Sequence, residues 1–119
     1  MILRLVLLPP IALFLYFAAK DAVFHFRSRK PPKLEDLLHV FLGLCELALL
    51  VGALWPRPIV MWSGALGTAL LGAIDEYVYH HDLPSQEHAY HAKGHLALFL
   101  VVVLATALPL IAPGVFGVD

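Results

Sequence analysis

Cysteine is almost absent from this sequence, because Cys45 is the only one in 119 residues. A single cysteine excludes an intrachain disulfide framework and a cysteine-rich zinc site. Its position within an apolar run favours a buried, unreactive thiol. Charge is also scarce, since 14% of the residues are charged, against ~25% in typical soluble domains. The formal net charge of −1 gives no reason to expect nucleic acid as a partner.

Hydrophobic residues are abundant, at 61% of the chain against a typical ~45–50%. A soluble domain of this length could not bury so much apolar surface, so we expect a lipid bilayer as its solvent. Spanning a bilayer takes ~20 mostly apolar helical residues. Four segments approach this length: residues 10–26, 37–54, 59–79 and 87–111. Because the connections are short, the predicted fold is all-α, a single domain over residues 1–119 forming an integral membrane antiparallel four-helix bundle.

The N-terminal segment has the apolar stretch of a signal peptide but lacks a good cleavage site. Cleavage after Ala18 or Ala19 would place an aromatic residue where a small one is required. We therefore expect this segment to be retained as a helix, with Pro9 and Pro10 marking either its start or a kink.

Lysine and arginine predict the orientation of the bundle, because they are enriched in cytoplasmic loops. Of the eight in the chain, only Arg4 and Arg57 lie near the N-terminus and the second loop, and the others flank the first and third loops. We expect a protein of the cell inner membrane with both termini outside and the first and third loops in the cytoplasm.

All seven histidines lie at the predicted cytoplasmic end of the spans. A polar rim would more often use lysine, arginine and glutamate. On the fourth span, at ~100° per residue, four ionisable side chains fall on one arc of roughly 100°; they are Glu87, His88, His91 and His95. This stretch therefore predicts one functional face of a helix.

The other three spans carry similar faces. Asp21 and Glu76 each precede a histidine by four residues, which places acid and imidazole on the same side of a helix. His39 and Glu46 are seven apart on the second span and point in nearly the same direction. Glu46 and Asp75 also follow or interrupt apolar runs, where a lone carboxylate is energetically expensive and suggests a functional site.

Imidazole and carboxylate together are ligands for zinc, iron, manganese and copper. Inward Glu and His from four helices are also the arrangement of di-metal carboxylate bundles. The sequence therefore predicts a transition-metal site, with iron favoured over zinc. The preferred ligands are Glu46, His88, His91 and His95, followed by His39, Asp75, Glu76, His80 and Asp21.

Two segments support iron by resemblance. DEYVYHH (residues 75–81) and EHAYHAKGH (residues 87–95) resemble the E-x-x-H pairs of ferritin-like di-iron proteins, with acid and histidine four apart instead of three. The pair His91 and His95, and the pair His80 and His81, resemble fragments of the histidine boxes of membrane desaturases and hydroxylases. No catalytic residue is carried over from either family.

The leading hypothesis is a membrane metalloprotein with a di-iron or other di-metal site at the cytoplasmic end, acting as an oxidoreductase on a lipid-like, lipid-soluble substrate. The alternatives are a zinc-dependent membrane hydrolase, a metal or proton transport subunit, a haem-binding anchor and a structural subunit of a membrane complex. A homo-oligomer or a larger membrane complex is compatible with each of them.

Overall fold

A computed structural model describes the backbone of residues 2–28, 33–80 and 85–116, and their side chains except those of residues 24–28, 33, 35–36, 79–80 and 85–88. This part of the chain is all-helical and contains no strand. The helices are α1 (Ile2–Ser28), α2 (Lys33–Leu54), α3 (Pro58–Asp75), α4 (Ser85–Ile111) and the short α5 (Pro113–Phe116). A π-helical turn, Glu76–His80, continues α3.

Four described helical segments are long and apolar enough to cross a membrane: Ile2–Val23, Leu37–Leu54, Pro58–Val78 and Ala89–Ile111. Their outward faces carry large hydrophobic side chains; Leu66 and Leu70 on α3, for example, are 69% and 65% exposed. Helices that are apolar on every side are typical of proteins whose surroundings are themselves apolar.

The predicted start of the first span at residue 10 is wrong, because α1 begins at Ile2 and continues through Pro9 and Pro10. The two prolines lack the N–H groups that would bond the carbonyls one turn earlier. Tertiary contacts offset this loss, because Leu3 and Leu7 are buried in the core. Arg4 adds a hydrogen bond, in which its Nε donates to the carbonyl of Leu54 at 2.6 Å.

The helices associate as two close pairs, α1 with α4 and α2 with α3. Glycine permits the second pairing: a Cβ at Gly52 would collide with the backbone of Met61, and a Cβ at Gly64 would collide with the backbone of Cys45 and Leu49. Between α1 and α4 the contacts include an aromatic pair, because the rings of Phe17 and Tyr90 stack at 6.1 Å.

The buried core contains side chains from all four long helices and is entirely apolar. It comprises Leu3, Leu7, Ile11, Phe14, Leu49, Ala53, Met61, Ala97, Leu98, Val101 and Val102. On α1 and α4 these residues recur at intervals of three and four, as expected for one helix face. The core occupies the half of the molecule that holds the α2–α3 turn, and the described acids and histidines lie toward the other end.

Candidate functional site

Six of the nine residues predicted as metal ligands line one cavity of about 370 Å³. We call this space the polar cavity, and the six residues are Asp21, His39, Glu46, Asp75, His91 and His95. All four long helices contribute to it. Glu76 contacts the cavity through His91, and the side chains of His80 and His88 lie outside the described residues.

Helical spacing explains why these side chains meet. On α2, the cavity is lined by His39, Leu42, Gly43 and Glu46, which recur at intervals of three, one and three and so share one face. On α4, Tyr90, His91, Gly94 and His95 recur at intervals of one, three and one and likewise share one face. The rings of His91 and His95 are 4.4 Å apart between centroids, as their separation of four residues predicts.

His91 stands between two acids that come from different helices. Its Nδ1 lies 3.3 Å from Oδ2 of Asp21 on α1, and its Nε2 lies 3.6 Å from Oε2 of Glu76. A neutral imidazole has one N–H donor, so only the imidazolium form could donate toward both carboxylates. When it is protonated, His91 therefore links α1, α4 and the π-helical turn electrostatically.

Asp75 is fully buried and faces His39, with 3.2 Å between its Oδ2 and Nε2 of the imidazole. A buried carboxylate is tolerated when a partner compensates for its lost hydration. Asp75 is the last α-helical residue before the π-helical turn. Asp75 thus reaches α2 while its neighbour Glu76 reaches α4. Irregular π-helical turns are frequently found at functional sites.

His95 fits against a glycine on α3. An ideal Cβ built at Gly72 would lie 2.7 Å from Cε1 of His95, closer than two carbon atoms can approach. The absence of a side chain at Gly72 therefore creates the space that the imidazole occupies. The Nε2 atom of His95 is buried and has no hydrogen-bond partner among the described residues.

Two carboxylates also retain unused bonding capacity. Asp21 Oδ1 is buried without a hydrogen-bond partner in the described part of the chain. Glu46 lines the polar cavity and forms no hydrogen bond or ion pair with another described side chain. Buried polar atoms without partners are costly, so the cavity is suited to a ligand that supplies them.

The closest contacts among the histidines and acids around the polar cavity each join one acid to one imidazole, and His91 takes part in two of them. Among the described side chains, no group of three or more His, Cys, Asp or Glu residues is arranged so that it could hold a metal ion. What the arrangement offers directly is acid–imidazole contacts, which can bind or transfer protons.

Sequence reasoning missed the residues that shape the cavity without ionisable groups. Tyr90 lines the cavity and stacks on Phe17. Gly72 belongs to a stripe of small residues on α3, namely Ser63, Gly64, Gly67, Thr68 and Gly72, whose spacing predicts close helix packing. Its position three residues before Asp75 was the available signal that it faces the site.

Comparison of the chain with protein-family models, curated proteins and solved structures finds no match.

Proposed function

We propose that this chain is an integral membrane protein whose four long helices form an antiparallel bundle. The lengths and apolar surfaces of the four candidate spans support this. So do the contacts of α2 with α3, because Gly52 meets Met61 whereas Gly67, further along α3, meets the earlier residue Cys45. Residue numbers that rise on one helix while they fall on the other are expected for antiparallel neighbours.

Within this bundle, we propose that the polar cavity binds a transition-metal centre, with two metal ions and with iron favoured over zinc. The observation that carries the proposal is the convergence of six acid and imidazole side chains from four helices on one cavity. Carboxylates neutralise the cations and can bridge two of them, and imidazoles supply nitrogen ligands. Binding requires the paired side chains to rearrange around the metal.

The acid–imidazole contacts fit this assignment. Metal-bound histidines commonly donate their second ring N–H to a carboxylate, which fixes the orientation of the ring. The contacts of His91 with Asp21 and of His39 with Asp75 support the proposal, because each places a carboxylate at one ring nitrogen of an imidazole. A redox-active metal in the polar cavity would make the protein an oxidoreductase. Its proposed substrate is lipid-soluble, because the proposed bundle is surrounded by the hydrocarbon of the bilayer.

A second candidate function is proton transfer through the membrane. It is favoured by the succession of contacts from Asp21 to His91 and from His91 to Glu76, with the ring of His95 beside them. Ionisable residues within membrane spans commonly form such relays. This function requires no metal, so metal content separates the two candidates.

The test is elemental analysis of untagged protein purified in mild detergent. We expect about two irons per chain in the wild type and loss of iron in the double variant His91→Ala/His95→Ala. Lys93→Ala is the matched control, because Lys93 lies on the same helix between these histidines and stacks over Phe17 outside the cavity. The control should retain its iron.

Other results would redirect the assignment. About one zinc per chain, lost in the double variant, would indicate a zinc hydrolase or a structural zinc site. No stoichiometric metal in any of the three proteins would overturn the metal proposal and leave proton transfer as the leading function. Iron that persists in the double variant would place the metal outside the polar cavity.

A further inference from the structure

A second, larger cavity opens between α3 and α4. It has a volume of about 560 Å³, within the range of ~300–1,000 Å³ that small-molecule sites occupy. It exists because α3 packs on α2 and α4 packs on α1, which leaves α3 and α4 apart. On α4 it extends from His95 to Ala107, about 18 Å at ~1.5 Å per residue. We call this space the apolar groove.

The wall of the apolar groove carries no Lys, Arg, Asp or Glu side chain and is formed mainly by aliphatic and aromatic residues. Three buried polar atoms belong to its lining residues: Thr68 Oγ1, Thr106 Oγ1 and His95 Nε2. Each is buried without a hydrogen-bond partner among the described residues, and Thr68 is only 4% exposed. A buried hydroxyl or imidazole without a hydrogen-bond partner is destabilising, so these atoms favour a ligand that brings a polar group into the groove.

His95 connects the two cavities, because it lines both the apolar groove and the polar cavity. Its ring lies against Gly72, at the point where α3 and α4 approach each other. A molecule lying along the groove with one end at His95 would therefore place that end beside the acids and imidazoles. This continuity distinguishes the groove from an ordinary lipid-facing surface.

We infer that the apolar groove binds a lipid with one long hydrocarbon chain and a small oxygen-bearing end, such as a fatty acid or fatty alcohol. The oxygen lies at His95 and the chain extends past Thr68 toward Thr106. The groove is lined mainly by apolar residues along about 18 Å of α4, which suits a hydrocarbon chain, and the one ionisable residue on its wall, His95, lies at the end that receives the oxygen. As an assignment of substrate class, this inference rests on the proposed function; as a binding site, it stands on the groove.

The test uses palmitic acid with a photoreactive diazirine in its chain, added to the full-length protein in lipid nanodiscs. After illumination, mass spectrometry locates the labelled residues. We expect labels concentrated on the groove faces of α3 and α4, between residues 62 and 69 and between residues 95 and 107. A phosphatidylcholine carrying the same photoreactive chain should label the outer faces of all four long helices instead.

Two variants sharpen the test. Ala69→Trp fills the groove and should reduce groove labelling at least about tenfold, whereas Ala12→Trp, at an exposed position on α1, should change it less than about twofold. Palmitate labels spread evenly over all helices would overturn the inference, and so would full groove labelling in folded Ala69→Trp. If Ala69→Trp fails to fold, the label map of the wild type decides alone.

The binding site and the metal proposal fail independently in this design. Labelling is repeated on protein treated with a chelator, and the metal content of Ala69→Trp is measured. Groove labelling in a protein that never holds metal would support the lipid site and contradict the metalloprotein assignment. Stoichiometric metal without groove labelling would do the reverse.

Discussion

Asp75 is fully inaccessible to solvent and contacts His39, whose side chain is 29% exposed. Removing one member of such a pair leaves the other without its partner, which generally costs more than the pair itself contributes. The bond between α2 and α3 at this point therefore contributes to stability and fixes the acid next to the polar cavity.

We predict that Asp75→Ala lowers the free energy of unfolding by about 3 kcal/mol. The double variant Asp75→Ala/His39→Ala should lose less than the sum of the single variants, by at least about 1 kcal/mol, because the side chains interact directly. Denaturant unfolding in detergent provides the four free energies of the cycle. Strict additivity would show that His39 is not the partner that Asp75 depends on.

Gly72 has no side chain, and this leaves room for the imidazole of His95. We predict that Gly72→Ala displaces the imidazole of His95, because the new Cβ would lie 2.7 Å from Cε1 in the present arrangement. NMR of ¹³C-labelled histidine should show a shift of the His95 ring signals. Gly43→Ala is the matched control, since Gly43 lines the same cavity but an added Cβ there meets no atom within 4 Å. Unchanged His95 signals in both variants would contradict this account.

For individual residues, the sequence predicts which side chains share a helix face but not which of them contact each other. Spacing along a helix places His91 and His95 on one face, and the structure confirms it. The acid nearest to His91 is Asp21, which is seventy positions away in the chain and belongs to another helix. Such partnerships depend on the relative rotation of two helices, which helical periodicity does not determine.

Among the elements, α3 has two distinct contacts that both depend on small residues. Gly64 brings it against α2, and Gly72 receives a side chain of α4. The small-residue stripe predicted close packing, and the Gly64 contact agrees with that prediction. The departure from α-helical geometry at Glu76 has no comparable signature, because no proline or glycine precedes it within three residues.

We predict that Gly64→Ala weakens the pairing of α2 with α3 and lowers the free energy of unfolding by about 1–3 kcal/mol, the usual cost of overpacking. Its new Cβ would meet backbone atoms of Cys45 and Leu49, which cannot move aside without displacing the helix. Gly114→Ala on α5 is the control, because nothing lies within 4 Å of its Cβ position. Equal stability of the two variants would argue against the close approach of α2 and α3.

For the molecule as a whole, the apolar core and the polar cavity occupy different levels along the helices. The core depends on residues such as Leu7, Leu49 and Val101, which are fully or almost fully buried. The cavity depends on ionisable residues beyond them. Composition and hydrophobic runs were sufficient to predict four long apolar helices, because both are properties of contiguous sequence segments. The pairing of α1 with α4 was not predicted, since it depends on contacts between helices that are far apart in the sequence.

The orientation in the membrane provides the last prediction. Most lysines and arginines flank the connections at residues 29–32 and 81–84, so we expect these connections in the cytoplasm and both termini outside. Alkaline phosphatase fused after Asp119 should be active, and green fluorescent protein fused there should be dark. Fusions after Lys30 should behave in the opposite way.

The charges can be tested as the cause of this orientation. Replacing Arg27, Arg29, Lys30 and Lys33 with glutamine removes half of the eight basic residues and nearly all those of the first connection. A substantial fraction of the Asp119 fusions should then become fluorescent, because the bias that retains this connection in the cytoplasm is lost. The same number of substitutions among exposed leucines of the spans should leave the fusions dark. Fluorescent Asp119 fusions of the unaltered protein would show that the topology is the reverse of the predicted one, with the polar cavity at the outer face.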